Sequence, residues 1–131
     1  MIFADSCVVI DYLKGNRAVT SLFEKLGKGN VYMNSIVVME LYRGALNKPE
    51  LLKIKKELCG FSCLEMTQSV LDVATRIIDL YGLSHNAMIP DSIIAATCLT
   101  YEMPLYTSNT KDFIYIPGLT LFKPGQQVAP V

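Results

Sequence analysis

Short apolar runs alternate along the chain with longer stretches whose apolar residues recur every three or four positions. The run IFA at the start is too hydrophobic to face water and predicts a buried strand over 2–5, followed by a helix over 6–14. Gly15 and Asn16 mark a turn, and Val19, Leu22, Phe23 and Leu26 then fall on one face of a helix over about 17–27. VYMN (31–34) predicts a second strand, Ser35 an N-cap, and residues 36–46 and 49–58 two further helices. FSCLEM (61–66) predicts a third strand. Behind a Thr67 cap, Val70, Val73, Ala74, Ile77, Ile78 and Tyr81 form the stripe of an amphipathic helix over 68–82. An apolar helix over about 91–102 leads to PLYT (104–107), a short edge or initial strand because of Pro104, and LTLF (119–122) predicts a last strand.

Strands and helices alternating in this way imply an α/β fold with a mostly parallel central sheet and helices on both faces. Folds of that kind place their chemistry in the crevice outside the carboxyl ends of the strands. At 131 residues the chain is long enough for one domain with a real core, expected over 1–124, and a short uncharged tail over 125–131.

Composition changes the picture only by exclusion. A hydrophobic fraction of 51% and a mean hydropathy of +0.33 rule against disorder. No apolar run reaches the roughly 18–20 residues of a membrane span, and the first residues lack the pattern of a signal peptide. A soluble, cytoplasmic protein is the expectation. Cys7, Cys59, Cys63 and Cys98 match no common zinc spacing and are expected to be reduced, buried thiols. Twelve basic residues balance twelve acidic ones, so net charge does not advertise nucleic-acid binding. Arg43, Lys48, Lys53, Lys55 and Lys56 outnumber Glu50 and Glu57 locally, and read first as an ordinary solvated helix face.

The acids carry more information. Asp5 ends the first strand, Glu40 lies in an otherwise apolar helix after the second and is expected to be buried there, Asp91 begins DSIIAATCL, and Asp112 lies in the turn after PLYT. Each has a plain alternative: Asp5 and Asp91 as helix caps, Asp112 as a turn residue. Glu40 caps nothing and is the hardest to explain structurally. Carboxylates gathered at one sheet end repel one another unless a cation neutralises them, and oxygen-only ligands suit Mg²⁺ or Mn²⁺. Such an ion near phosphate favours phosphodiester hydrolysis. His85, the sole histidine, cannot build a zinc site or a Ser–His–Asp triad alone and reads as a loop residue. Neither a glycine-rich phosphate loop nor G-x-S-x-G occurs.

In order and spacing, DSCVVIDYLKG, NSIVVMELYRG, IPDSIIAATCL and LYTSNTKDF resemble the four motif regions of PIN-domain ribonucleases, and most of all the VapC-like toxins of toxin–antitoxin modules. The resemblance covers Met1 to about Pro124. It implies a PIN-like three-layer α/β/α sandwich and a Mg²⁺- or Mn²⁺-dependent endoribonuclease, with one or two ions held by Asp5, Glu40, Asp91 and Asp112. On that reading Asp5 is a metal ligand rather than a cap. Ser6 matches the hydroxyl residue that orients water or phosphate, and Thr107 and Asn109 match the polar pair of the last motif, with Asn109 the stronger candidate for supporting the site. Asp11 matches an acid of the first helix with a structural role. Ser108 departs from the pattern, standing where many relatives carry a basic residue, which leaves a phosphate contact there unsupported.

The resemblance also implies an RNA substrate, a cognate antitoxin that blocks the acidic pocket, and a homodimer that covers apolar surface. Competing readings fare less well. A signalling receiver that accepts phosphoryl groups needs paired acids after the first strand and a late lysine, and FADSC and PLYTSN supply neither. A haloacid-type phosphatase needs a second acid where Cys7 stands. A PIN-like domain that only binds, and a nuclease directed at DNA, complete the alternatives.

Overall fold

The computed structural model describes residues 1–125, so the predicted tail falls outside the described residues apart from Gly125. The chain runs β1 (Ile2–Ala4), α1 (Ser6–Leu13), α2 (Arg17–Leu26), β2 (Val31–Met33), α3 (Ser35–Arg43) and α4 (Lys48–Glu57), then β3 (Ser62–Cys63), α5 (Gln68–Tyr81), α6 (Ile89–Thr100) and β4 (Leu105–Tyr106). Helices flank a four-stranded sheet of order β3-β2-β1-β4 in which every pairing is parallel. This is the three-layer PIN-like α/β/α sandwich.

The strand order explains where a site belongs. The chain moves outward from β1 through β2 to β3, then crosses back to lay β4 on the other side of β1. Strand order therefore reverses at β1, and the crevice at its carboxyl end is the switch point where such sheets bind ligands. Ile2, Phe3 and Ala4 are wholly buried, as is Leu105 opposite them, so this central seam is fixed by the core. Phe23, Val31, Val37, Val70, Ile94 and Phe113 complete the close-packed interior.

Two strands are shorter than their apolar runs suggest. FSCLEM pairs only through Ser62 and Cys63, because Glu65 and Met66 already lead into the Thr67 cap, whose hydroxyl accepts the Val70 N–H at 3.3 Å. LTLF contributes a single parallel bridge, Leu105 to Leu121. Gly118 before it has φ +80 and belongs to a turn, and Pro124 after it cannot donate to a ladder.

Capping also differs at two helices. Asn34, not Ser35, is the N-cap of α3: its Oδ1 accepts the Val37 N–H at 3.1 Å. Helix α6 begins at Ile89, two residues before Asp91, with Met88 as its cap residue and Pro90 in the first turn, a position that needs no N–H. Asp91 is therefore not a cap. The four cysteines are free, but only Cys98 is buried; Cys59 and Cys63 lie on the surface near the exposed edge strand. No helix of the described residues is long and apolar enough to cross a membrane.

Candidate metal centre at the sheet switch point

Asp5 sits where β1 ends and α1 begins, and it takes the capping role that the resemblance set aside. It is the N-cap residue of α1, extended at φ −70 and ψ 160, with Oδ1 accepting the Ser6 N–H at 2.8 Å. Only 5% of Asp5 is exposed. Its other oxygen, Oδ2, accepts the Thr107 hydroxyl at 2.8 Å. The Cys7 thiol lies 3.7 Å from the same oxygen and 3.6 Å from Thr107 Oγ1. Backbone bonds tighten the join: the Ser108 N–H points at Cys7 Sγ at 3.5 Å, and the Asn109 N–H donates to Thr107 Oγ1 at 3.1 Å. The first and last motifs are thus tied into one unit.

Within that unit the polar pair of the last motif exchanges roles. Thr107 is buried and holds the acid directly, whereas Asn109 is exposed and contributes through its backbone. A carboxylate offers about four lone-pair sites, so Asp5 retains acceptor capacity beyond these bonds.

Glu40 and Asp91 make up the other half. Glu40 is exposed on α3 rather than buried, since the apolar residues around it in sequence point elsewhere around the helix. Protein still surrounds enough of its carboxyl to hinder hydration. Its pKa is raised by that desolvation first, then by Asp5 and Asp91, while the Ser6 hydroxyl pulls it back down as a hydrogen-bond donor. Asp91, half-buried in the first turn of α6, is pushed up to about 6 by desolvation, then by the charges of Asp5 and Asp112. Asp112 is exposed in a 3-10 turn, Thr110–Asp112, just beyond β4. The electrostatic contacts therefore run Glu40–Asp5–Asp91–Asp112, and the four predicted acids share one neighbourhood. Asp11 stands apart, half-buried on α1, where its charge acts on the Tyr106 hydroxyl.

One positioning residue escaped the sequence reading. Asn34 is wholly buried; while capping α3 it donates from Nδ2 to Thr97 Oγ1 on α6 at 3.0 Å. Thr97 in turn donates to the Ile93 carbonyl at 2.8 Å. This bond locks the helix carrying Glu40 to the helix carrying Asp91. Its sequence signal was an Asn directly after an apolar strand and before an apolar helix, overshadowed by the adjacent Ser35.

No three His, Cys, Asp or Glu side chains among the described residues converge closely enough to coordinate one ion. The donor set nevertheless suits a hard divalent ion. It is all oxygen, its mutual repulsion is what such an ion relieves, and Asp5 is held with lone pairs to spare. Beside Glu40 opens a mainly apolar cleft of about 720 Å³, lined by Ile10, Leu13, Leu41, Lys53 and Ile54 among others.

Comparison with known proteins agrees with this geometry. The family model for the PIN domain matches residues 2–119. A ribonuclease VapC of Rickettsia bellii is 34% identical over 102 residues, covering 67% of this chain and 72% of the relative. Among solved structures, a toxin–antitoxin complex from Klebsiella pneumoniae aligns with TM-score 0.77 and 26% identity over 95% of this chain and 98% of that one. A DNA-bound VapBC from Salmonella typhimurium shares the fold at TM-score 0.81 and 19% identity, over 93% of this chain and 98% of that one. The chain belongs to the PIN-domain family, among the VapC-like toxins of toxin–antitoxin modules.

Proposed function

We propose that the chain is a metal-dependent endoribonuclease that hydrolyses RNA phosphodiester bonds and is restrained by a cognate antitoxin. The observation that carries this reading is the coupling of Glu40, Asp5, Asp91 and Asp112 at the carboxyl end of a parallel sheet. These four would hold one or two Mg²⁺ or Mn²⁺ ions. When bound, such an ion neutralises charge at the phosphate, polarises a phosphoryl oxygen and makes water a better nucleophile.

The chain's own residues do the rest. Thr107 and the Ser6 N–H fix the Asp5 carboxylate, so that it is preorganised rather than free to rotate. The Ser6 hydroxyl, close enough to Glu40 to lower its pKa, would be free to turn toward water or phosphate once that acid is engaged. Glu40 and Asp91, whose pKa values are raised by desolvation and by neighbouring acids, are the candidates to accept a proton from the attacking water. Water oxygen bonds to phosphorus in line with the departing 3′ oxygen, leaving a 5′-phosphate and a 3′-hydroxyl.

The apolar cleft beside Glu40 suits an amphipathic segment of the antitoxin, with Lys14, Glu40, Glu50 and Lys53 supplying charge among its apolar lining. The toxin–antitoxin complexes among its structural relatives, some on DNA, support such a partner and contact of the joined complex with nucleic acid. A homodimer would cover Leu71 and Ile89, exposed at a shallow apolar groove between α5 and α6.

The test is cleavage of total tRNA and ribosomal RNA in Mg²⁺, in Mn²⁺ and in EDTA, beside Asp5→Asn. Discrete fragments that require the ion and vanish in the variant are expected. Intact RNA in every lane, from protein that melts cooperatively, would sink the ribonuclease reading.

A further inference from the structure

The loop after α5 holds an organised aromatic surface beside the acids. The His85 ring stacks on Tyr115 with centroids 4.3 Å apart and planes 17° from parallel. Tyr81 packs edge-on to His85 at 5.5 Å and tilted to Tyr115 at 5.2 Å. The backbone fixes His85 as well: its N–H donates to the Tyr81 carbonyl at 3.0 Å, and Asn86 after it takes φ 53, in the left-handed region that Asn tolerates. Ser84 Oγ lies 2.7 Å from His85 Nδ1, a second hold on the ring. Tyr115 is half-buried and His85 exposed, so one aromatic face is used internally and the next is open to solvent.

The position matters as much as the geometry. Tyr115 follows Asp112 by three residues, just after the turn in which the Ile114 N–H donates to the Thr110 carbonyl at 2.9 Å, and His85 lies four residues before α6, whose first turn carries Asp91. The aromatic stack therefore borders the proposed cleavage centre. By contrast the cluster of Tyr12, Phe23 and Phe61 packs its rings against one another, with Lys28 Nζ 4.9 Å above Phe61. That cluster is closed; the His85 face is not.

A strand of RNA approaching four carboxylates meets repulsion at every phosphate, but its bases are neutral. An open, nearly parallel aromatic stack beside acids suits the part of the strand that carries no charge. Lys111, exposed in the same turn as Asp112, offers a cation for a flanking phosphate.

We propose that the His85–Tyr115 stack is a base-binding platform, which takes an unpaired RNA base on the open face of His85 and so sets which phosphate lies at the carboxylates. This rests on the ribonuclease reading and adds to it where on the surface the substrate strand is gripped.

The experiment uses the full chain in EDTA at low salt, where RNA stays intact. A short single-stranded RNA carrying 2-aminopurine reports stacking by quenching, and a fluorescein-labelled copy gives the Kd by anisotropy. Wild type is expected to quench 2-aminopurine. His85→Ala and Tyr115→Leu are expected to lose quenching and weaken binding about 5- to 100-fold, in line with the loss of one base–aromatic stack. His85→Phe, which keeps a flat ring, should retain both.

Three results would overturn the platform: no quenching by wild type, unchanged affinity in His85→Ala, or conversion of a dimer to monomers by His85→Ala, which would make this face a protein interface. The two failures are distinguishable. Ion-dependent cleavage with no quenching removes the platform and keeps the nuclease, whereas quenching without cleavage removes the nuclease and, with it, the platform's role in placing a phosphate, leaving only a base-binding surface.

Discussion

The two halves of the acidic centre are built on different principles. On the β1–β4 side, Asp5 is buried, caps a helix and is held by Thr107, with Cys7 and Ser108 bridging the same two segments. On the α3–α6 side, Glu40 and Asp91 have no comparable set of donors; they sit under raised pKa values, pushed by desolvation and by their acidic neighbours. Asn34 and Thr97 fix the helices on that side but not the carboxylates themselves. One half is positioned by hydrogen bonds and the other is left charged and repelled, which is the half a cation changes. Rigidity and responsiveness are thus divided between neighbouring acids.

That division can be broken first where the effect is largest. Asp91→Asn and Asp5→Asn should each lower RNA cleavage by more than the roughly 10- to 100-fold that loss of an outer-shell partner costs. Only Asp91→Asn should leave the metal-free protein as stable as wild type or more so, because it removes repulsion without removing a hydrogen-bonded anchor. Steady cleavage rates in Asp91→Asn would show that the α3–α6 half is dispensable.

Thr107→Val tests the rigid half. It leaves Asp5 Oδ2 without its shortest donor, and should cost about 1–3 kcal/mol of stability in urea titrations and about 10- to 100-fold in cleavage. If activity survives with stability reduced, the bond serves folding alone.

The responsive half should be visible in melting curves. Saturating Mg²⁺ should add about 2.7 kcal/mol at a hundredfold excess over its Kd and raise the melting temperature accordingly. Without divalent ions the pH dependence has a defined sign. Asp91, raised from 3.8 to about 6, keeps in the folded state a proton that the unfolded chain has already lost. Stability of the metal-free protein therefore falls as pH rises from about 4 to about 6 and levels off above that. Glu40, raised from 4.5, acts in the same direction. Mg²⁺ should flatten this fall by replacing the proton; identical pH profiles with and without the ion would remove the link between repulsion and metal.

The smallest effect belongs to Cys7→Ser. A hydroxyl can still bridge Asp5 and Thr107, so cleavage and melting should shift only slightly; a change comparable to that of Thr107→Val would promote the thiol to an essential anchor.

Much of this was legible in the sequence, for identifiable reasons. Helix periods set by core burial, as in Val70, Ala74 and Ile77, located all six helices to within three residues. Acids placed just beyond apolar strands pointed to the sheet end, because few other reasons exist for charge there. What failed was direction and partner choice. A single sequence does not say which way Glu40 faces around α3, so an acid among apolar neighbours read as buried when it is exposed. It could not choose between Asn34 and Ser35 as a cap, because the deciding contact comes from Thr97, 63 residues away. It also set capping against metal binding at Asp5, although one carboxylate has room for both.

The bond between Thr107 and Asp5 spans 102 residues. Chains emerge from the ribosome N-terminus first, at about 5–20 residues per second, so roughly 5–20 s separate the synthesis of the two partners. Until β4 has been made and laid against β1, Asp5 has no Thr107 and the last acid does not exist. A growing chain accordingly lacks both the anchor of its first acid and its fourth acid until residues 107 and 112 have been made, so the acidic centre is completed only as β4 joins the sheet.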